Sequence, residues 1–124
     1  MTSRVFVLQA TKFQADVSPA AVYGQIRFVL SAGDRSCSNP ELSLEKLYSA
    51  LEDFNPNEDF IVWAGGDPLS AILAGMVLLD LGVTKFRFLR FEKNRNIRPG
   101  QQVTGFYSPV EVNLETETDS HGRK

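Results

Sequence analysis

Asp67 stands one residue after the pair Gly65-Gly66 and one before Pro68, and it is the side chain in this sequence best placed to support chemistry. Glycines let a backbone turn where a side chain would clash, and the free N–H groups opening a helix can receive a phosphate. A carboxylate at the carboxyl end of a strand can also serve as a general base or hold a cation. The local sequence completes neither chemistry. Asp67 is a good helix cap, so its carboxylate competes for the donors a phosphate needs, and Pro68 supplies no N–H. No Lys-Ser or Lys-Thr follows as in a P-loop, and no Gly-x-Gly-x-x-Gly fingerprint is present. Hard cations take several oxygen ligands, and this turn offers one carboxylate. Gly65, Gly66 and Asp67 are thus a candidate ligand-binding turn whose simpler reading is a capped bend. Asp16 and Asp34 are the carboxylates that folding would have to bring to it.

Nucleophilic catalysis lacks a base. The sole histidine, His121, lies near the C-terminus, and Cys37 sits in a Ser-Cys-Ser loop with no imidazole in its neighbourhood of the sequence. An incidental exposed thiol is the expectation, and no catalytic residue, metal site or cofactor is assigned.

A second candidate is a basic stretch. Lys85, Arg87, Arg90, Lys93, Arg95 and Arg98 fall between 85 and 98 with Glu92 as the only acid. Phe86, Phe88 and Phe91 are interleaved with them, as aromatic residues are in single-strand nucleic-acid platforms. Plain alternation gives a competing reading, in which Phe86 and Phe88 point inward, Lys85 and Arg87 outward, and a slip near Leu89 returns Phe91 to the core. The stretch takes six of the thirteen basic residues and one of the fifteen acids, so seven basic residues face fourteen acids elsewhere. Such a dipole suits an acidic partner, or one protomer oriented against another.

These candidates must be carried by one domain. The 124 residues are 43% hydrophobic and 23% charged, enough for one core and too few for two, with 1–114 as the domain and 115–124, which lacks large apolar residues, as a flexible tail. A single cysteine excludes an intramolecular disulfide. With no N-terminal apolar run of signal-peptide type, it predicts a cytoplasmic protein. The longest apolar run, Leu69 to Leu79, is too short to cross a bilayer.

Along the chain, strands are predicted at Arg4 to Thr11, Gln25 to Ser31, Phe60 to Ala64, Thr84 to Phe91 and within Val103 to Leu114, where Pro109 marks an edge or bulge. Ser18-Pro19 predicts one short helical turn, and Ala32 to Pro40 has loop composition. Leu44, Leu47, Tyr48, Leu51 and Phe54 share one face of a helix over 43–54. A second helix follows Asp67-Pro68 and stops at Gly82, so that the strands on either side of it are parallel. The fold class is α/β, counted also as α+β: a two-layer sandwich of a mixed sheet of about five strands with the two main helices on one face.

The second helix is apolar on nearly every side. Ala71, Ala74 and Gly75 offer a small face to the sheet, while Leu69, Leu73, Met76, Val77 and Leu78 spread around the rest. A helix apolar all round must be covered all round, which makes the 69–81 helix a candidate homodimer surface.

Three segments, VFVLQATK (Val5 to Lys12), IVWAGGDPL (Ile61 to Leu69) and TGFYSPVEV (Thr104 to Val112), resemble those of small accessory proteins of short-tailed bacteriophages, many from marine hosts. The resemblance implies a viral protein at work in the bacterial cytoplasm and assigns no site residue. The leading expectation is a small non-catalytic binding protein that engages a host or viral protein. One alternative is a nucleic-acid-binding module using 85–98, and another is a nucleotide or small-molecule enzyme with its pocket at 64–68. No membrane association is expected.

Overall fold

The computed structural model describes residues 3–10, 17–95, 98–100 and 105–114. Strand β1 (Arg4–Gln9) and strand β3 (Phe60–Val62) place apolar residues at successive positions and are buried on both sides, as central parallel strands are. β2 (Gln25–Leu30), β4 (Lys85–Lys93) and β5 (Gly105–Asn113) complete a sheet of order β2-β1-β3-β4-β5. The pairings from β2 to β4 are parallel, and β5 runs antiparallel to β4. Helices α1 (Pro40–Leu51) and α2 (Pro68–Asp80) lie on one face, which is the mixed five-stranded α+β arrangement expected.

Each face of the sheet has its own core. Phe6, Leu8 and Ile61 meet Leu47 and Leu51 of α1 and Leu73, Ala74, Val77 and Leu78 of α2. Val5, Val7, Phe60, Val62 and Leu89 pack on the other side with Val17, Ala20 and Tyr107, beneath the 3₁₀ turn Ser18–Val22. Burying a large aliphatic side chain contributes roughly 1.5–3 kcal/mol, so both layers hold the sheet. Tyr23 ties the second layer across the sheet: its ring lies 5.2 Å from that of Phe60, and its hydroxyl donates to the Tyr107 carbonyl at 2.8 Å.

An ion pair closes the foot of the sheet. Asp59 is 1% exposed and accepts from the Arg4 backbone N–H at 3.0 Å, from Arg4 Nη2 at 2.8 Å and from the Asn55 N–H at 2.8 Å. Arg4 Nη1 reaches Asp53 at 3.0 Å, and these contacts raise the guanidinium pKa above its ordinary value, with the Asp59 hydrogen bond foremost.

Several boundaries differ from the sequence expectation. Asn39 caps α1 by accepting from the Leu42 N–H at 3.2 Å, and Pro40 takes the first turn, so the helix opens inside the stretch of loop composition rather than at Ser43. It ends at Leu51, and Phe54 is buried beyond it. The 3₁₀ turn falls where expected, but Val17 precedes it with no side-chain cap bond. Leu81 is the C-cap of α2, with Gly82 following at φ +84°.

β4 shows no slip near Leu89. It pairs with β5 without interruption from Lys85 opposite Asn113 to Lys93 opposite Gly105. Phe86 and Phe88 pack toward the helices, while Leu89 and Phe91 pack against the other core, because both faces of this sheet are apolar. In α2 the small face is also redistributed. Ala74 and Ser70 are buried, whereas Gly75 has open space where a Cβ would stand.

The connections decide where a site can form. The chain leaves β1 for β2 in one direction beneath the 3₁₀ turn, then returns past β1 to β3 and β4 with helices on the opposite face. The direction reverses between β1 and β3, and open α/β sheets place their crevices at the carboxyl ends of such strands. Gln9 ends β1 there, and the Gly65–Pro68 turn follows β3.

Candidate functional site

Asp67 is held by the chain's own groups. Its Oδ1 accepts from the Leu69 N–H at 3.1 Å and from the Cys37 thiol at 3.3 Å, and its Oδ2 accepts from the Cys37 N–H at 2.9 Å. The two backbone N–H groups, Cys37 first, hold the carboxyl below the usual carboxylate range. The Asp67 carbonyl takes both the N–H and the hydroxyl of Ser70, at 2.9 and 2.7 Å. With Pro68 lacking an N–H, the seat an anion would need at the start of α2 is filled from within.

Gln9 sets the position of that turn. This side chain is 3% exposed; its Oε1 accepts the Asp67 N–H at 3.0 Å, and its Nε2 donates to the carbonyls of Ser31 and Asp34. Gly66 has φ +99°, and a Cβ there would meet Gln9 Oε1 at 2.5 Å, so glycine is required for conformation and for space. One amide therefore ties the end of β1 to the segments that follow β2 and β3.

A cleft of about 400 Å³ opens beside this knot, lined by Gln9, Asp34, Arg35, Cys37, Gly66 and Asp67 among others. The fold thus brings Asp34 to the same cleft as Asp67, but commits it elsewhere. Its carboxylate takes Lys46 Nζ at 2.7 Å and the Ser31 N–H at 2.7 Å, and the Lys46 contact leads in holding it below its ordinary pKa. The Cys37 thiol is pushed up by its hydrogen bond to Asp67, the opposite of what a nucleophile needs. Among the described residues no three His, Cys, Asp or Glu side chains form a metal-binding group. Asp16, His121 and the expected 115–124 tail lie outside the described residues.

The basic stretch is divided by the strand that carries it. Arg87 lies on the face opposite the helices, with its guanidinium 4.0 Å from the centre of the Phe60 ring and Nη2 donating to the Asn57 carbonyl at 2.9 Å. Lys85 joins it at a cleft of about 210 Å³, where Glu111 stands across the strand pair from Arg87. Arg90 points to the helix side and pairs with Glu92 at 3.2 Å; Glu92 also accepts from Ser108 Oγ at 2.6 Å, and these contacts, Ser108 first, lower its pKa. Lys93, Arg95 and Arg98 are exposed near the end of the hairpin. The three phenylalanines are partly buried against one core or the other, and Phe91 lies 5.3 Å from the Tyr107 ring, so no row of free aromatic faces accompanies the cations.

Several large apolar residues are left open. Ile72, Met76 and Leu79 of α2 are 60%, 58% and 52% exposed, a stripe at helical spacing turned away from the core. Phe106, Val110 and Leu114 along β5 are 52%, 39% and 52% exposed. Val110 pairs with Phe88 and Val112 with Phe86, so these even positions lie on the helix side of the sheet. α1 lies against β2 and α2 against β1, and Phe86 and Phe88 of β4 pack against the same core, so β5 is the strand of that face left farthest from the helices. The α2 stripe is legible in the apolar run; the β5 row is signalled only by the period-two spacing of Phe106, Val110, Val112 and Leu114.

Residues 3–114 match the family described as Phage Pam3 gp32-like protein. The chain belongs to that family. The expected resemblance to phage proteins is borne out, and the match spans all five strands and both helices. No curated protein and no solved structure matches the chain. The family description names no activity, so it assigns no role to the turn, the basic stretch or the apolar face. No helix among the described residues is long and apolar enough to cross a membrane.

Proposed function

We propose that this phage protein is a non-catalytic binding protein, acting in the cytoplasm of the infected bacterium, whose working surface is the apolar half of the helix face. One observation carries the reading: Ile72, Met76 and Leu79 on α2 and Phe106, Val110 and Leu114 on β5 are exposed on the same side of the sheet, where two helices serve five strands. Exposed apolar surface on one face is a mark of protein interaction sites. The Arg90–Glu92 pair supplies charge beside it on the hairpin.

The other readings draw less support from the geometry. A nucleic-acid module would want its cations and aromatic faces together, whereas Arg87 and Arg90 stand on opposite sides of β4 and the phenylalanines are packed. An enzyme pocket at the 64–68 turn would want free donors or a poised nucleophile, and those groups bond one another.

Capture of partners from phage-infected cells tests the reading. With Phe106→Asp as bait the partner is expected to be lost, and with Arg87→Glu it is expected to be kept. Loss with Arg87→Glu alone, accompanied by salt-sensitive oligonucleotide binding, would transfer the function to the basic stretch.

A further inference from the structure

The two edges of the sheet end differently. Along β5 the even positions turn their backbone groups to β4, since the Leu114 N–H donates to the Thr84 carbonyl at 2.7 Å and the pairing runs unbroken, so the odd positions turn theirs outward. Two of those odd positions are closed. Pro109, opposite Leu89, has no N–H to offer, and the Tyr107 carbonyl already accepts from the Tyr23 hydroxyl at 2.8 Å. A sixth strand would find no ladder in the middle of this edge.

β2, at the other end of the strand order, has no such device. The Gln25 N–H donates to the Ser3 carbonyl at 2.8 Å, which turns the backbone groups of Gln25 and Arg27 to β1 and leaves those of Ile26 and Phe28 pointing out of the sheet. None of these outward groups has a partner among the described residues. The side chains beside them are uncovered as well. Phe28 is 52% exposed on the face opposite the helices, where Ile26 meets the second core. Arg27 is exposed on the helix side; its Nη2 donates to the neutral Gln25 Oε1 at 3.0 Å, and among the described residues no carboxylate pairs with it.

Outward backbone groups along a strand are matched by the backbone of another extended segment. We infer that the β2 edge is a strand-addition site for an extended segment of another protein. That segment pairs with Ile26 and Phe28 as a sixth strand, with an acid opposite Arg27 and an apolar residue beside Phe28. The charge selects against a second copy of this chain: Gln25–Leu30 contains no acid, so no register of β2 against itself places a carboxylate opposite Arg27. The closed β5 edge gives the β2 of another copy nothing to extend. The site lies at the opposite end of the strand order from the apolar row of β5, and so goes beyond the surface proposed above.

Amide exchange and a probe peptide test the inference. In the dilute full chain, read by NMR, the Ile26 and Phe28 amides are expected to exchange as unpaired amides do, while the Arg27 amide, held by β1, is protected. The probe is a short blocked peptide with valines on one face of the strand and threonines about a central glutamate on the other. Its addition should slow exchange at Ile26 and Phe28. A roughly threefold preference for glutamate over lysine at its centre should reverse in Arg27→Glu. Phe28→Pro copies the Pro109 device at an outward position and should abolish binding with an unchanged circular dichroism spectrum, whereas Phe28→Leu keeps the N–H and should bind as wild type does. Arg27→Glu leaves the backbone untouched, so the charge reversal decides if the proline variant does not fold. A peptide that does not bind, that binds Phe28→Pro as well, or that shows no charge preference overturns the inference, as do protected Ile26 and Phe28 amides in the dilute free chain. Protection that arises as the chain is concentrated, together with a doubling of its 13.8 kDa mass, overturns it by giving the edge to a second copy.

Discussion

Gln9 and Asp67, 58 residues apart, are joined across the point where the sheet reverses direction: Gln9 Oε1 accepts the Asp67 N–H at 3.0 Å, while Gln9 Nε2 holds the carbonyls of Ser31 and Asp34. A buried polar group that anchors two loops to the end of β1 is costly to remove because its partners are left unpaired. Gln9→Ala is therefore expected to lower unfolding free energy by about 1–3 kcal/mol, read by urea denaturation. Gln9→Glu should do at least as much damage, since its carboxylate would face two carbonyls. An Ala variant as stable as wild type would show that the loops are held by something else.

Asp59 makes a comparable prediction at the foot of the sheet. It is 1% exposed, and removing it takes the acceptor from the N–H groups of Arg4 and Asn55 and leaves the Arg4 guanidinium with Asp53 alone. Leaving buried donors unpaired costs about 1–3 kcal/mol, so Asp59→Ala should unfold at lower urea than wild type. Asp53→Ala removes only the exposed branch of the same arginine and should cost about 1 kcal/mol or less.

The carboxylates predict the acid limb. Asp34, Asp67 and Glu92 have pKa values below their ordinary ones in the folded chain. Groups depressed by folding contribute stability above the unfolded pKa, and that contribution is lost as pH falls through the folded value. The thermal midpoint should hold steady near neutrality and drop as pH falls below about 4, the ordinary carboxylate range. In Asp67→Asn the drop should be shallower. A midpoint that rises on acidification would contradict the hydrogen-bond assignments.

Cys37 is exposed yet its thiol donates to Asp67 at 3.3 Å, which raises its pKa. Alkylation by iodoacetamide at neutral pH should be slower than for an ordinary exposed thiol and should quicken in Asp67→Asn, where the negative acceptor is gone. Fast alkylation of the wild type with a midpoint below the ordinary thiol value would make Cys37 a candidate nucleophile.

What the sequence discloses divides along the range of the forces involved. β1, β3 and α2 are legible because each is an unbroken apolar run bounded by turn residues, and the Asp67-Pro68 cap is local chemistry. The start of α1 is not, because Asn39-Pro40 reads equally as loop and as cap until the helix beyond it packs. The twofold use of β4, with Phe88 to one core and Leu89 to the other, depends on the 3₁₀ turn and Tyr107 covering the second face, a fact of tertiary arrangement. The same holds at the candidate sites. Asp67 could be singled out from its neighbours in the chain, but Gln9 could not, because its three partners arrive from distant loops. The open row on β5 becomes visible only when the helix layer is seen to stop short of that strand.

The central claim, that this protein works through its apolar helix face and not through the turn at Asp67, is tested most directly by parallel capture from phage-infected cells with wild-type, Met76→Glu and Asp67→Asn baits. The account predicts that whatever the wild type retains, a phage-made copy of this chain included, is retained by Asp67→Asn and lost with Met76→Glu, while both variants keep the wild-type circular dichroism spectrum. Capture lost with Asp67→Asn and intact with Met76→Glu would contradict it.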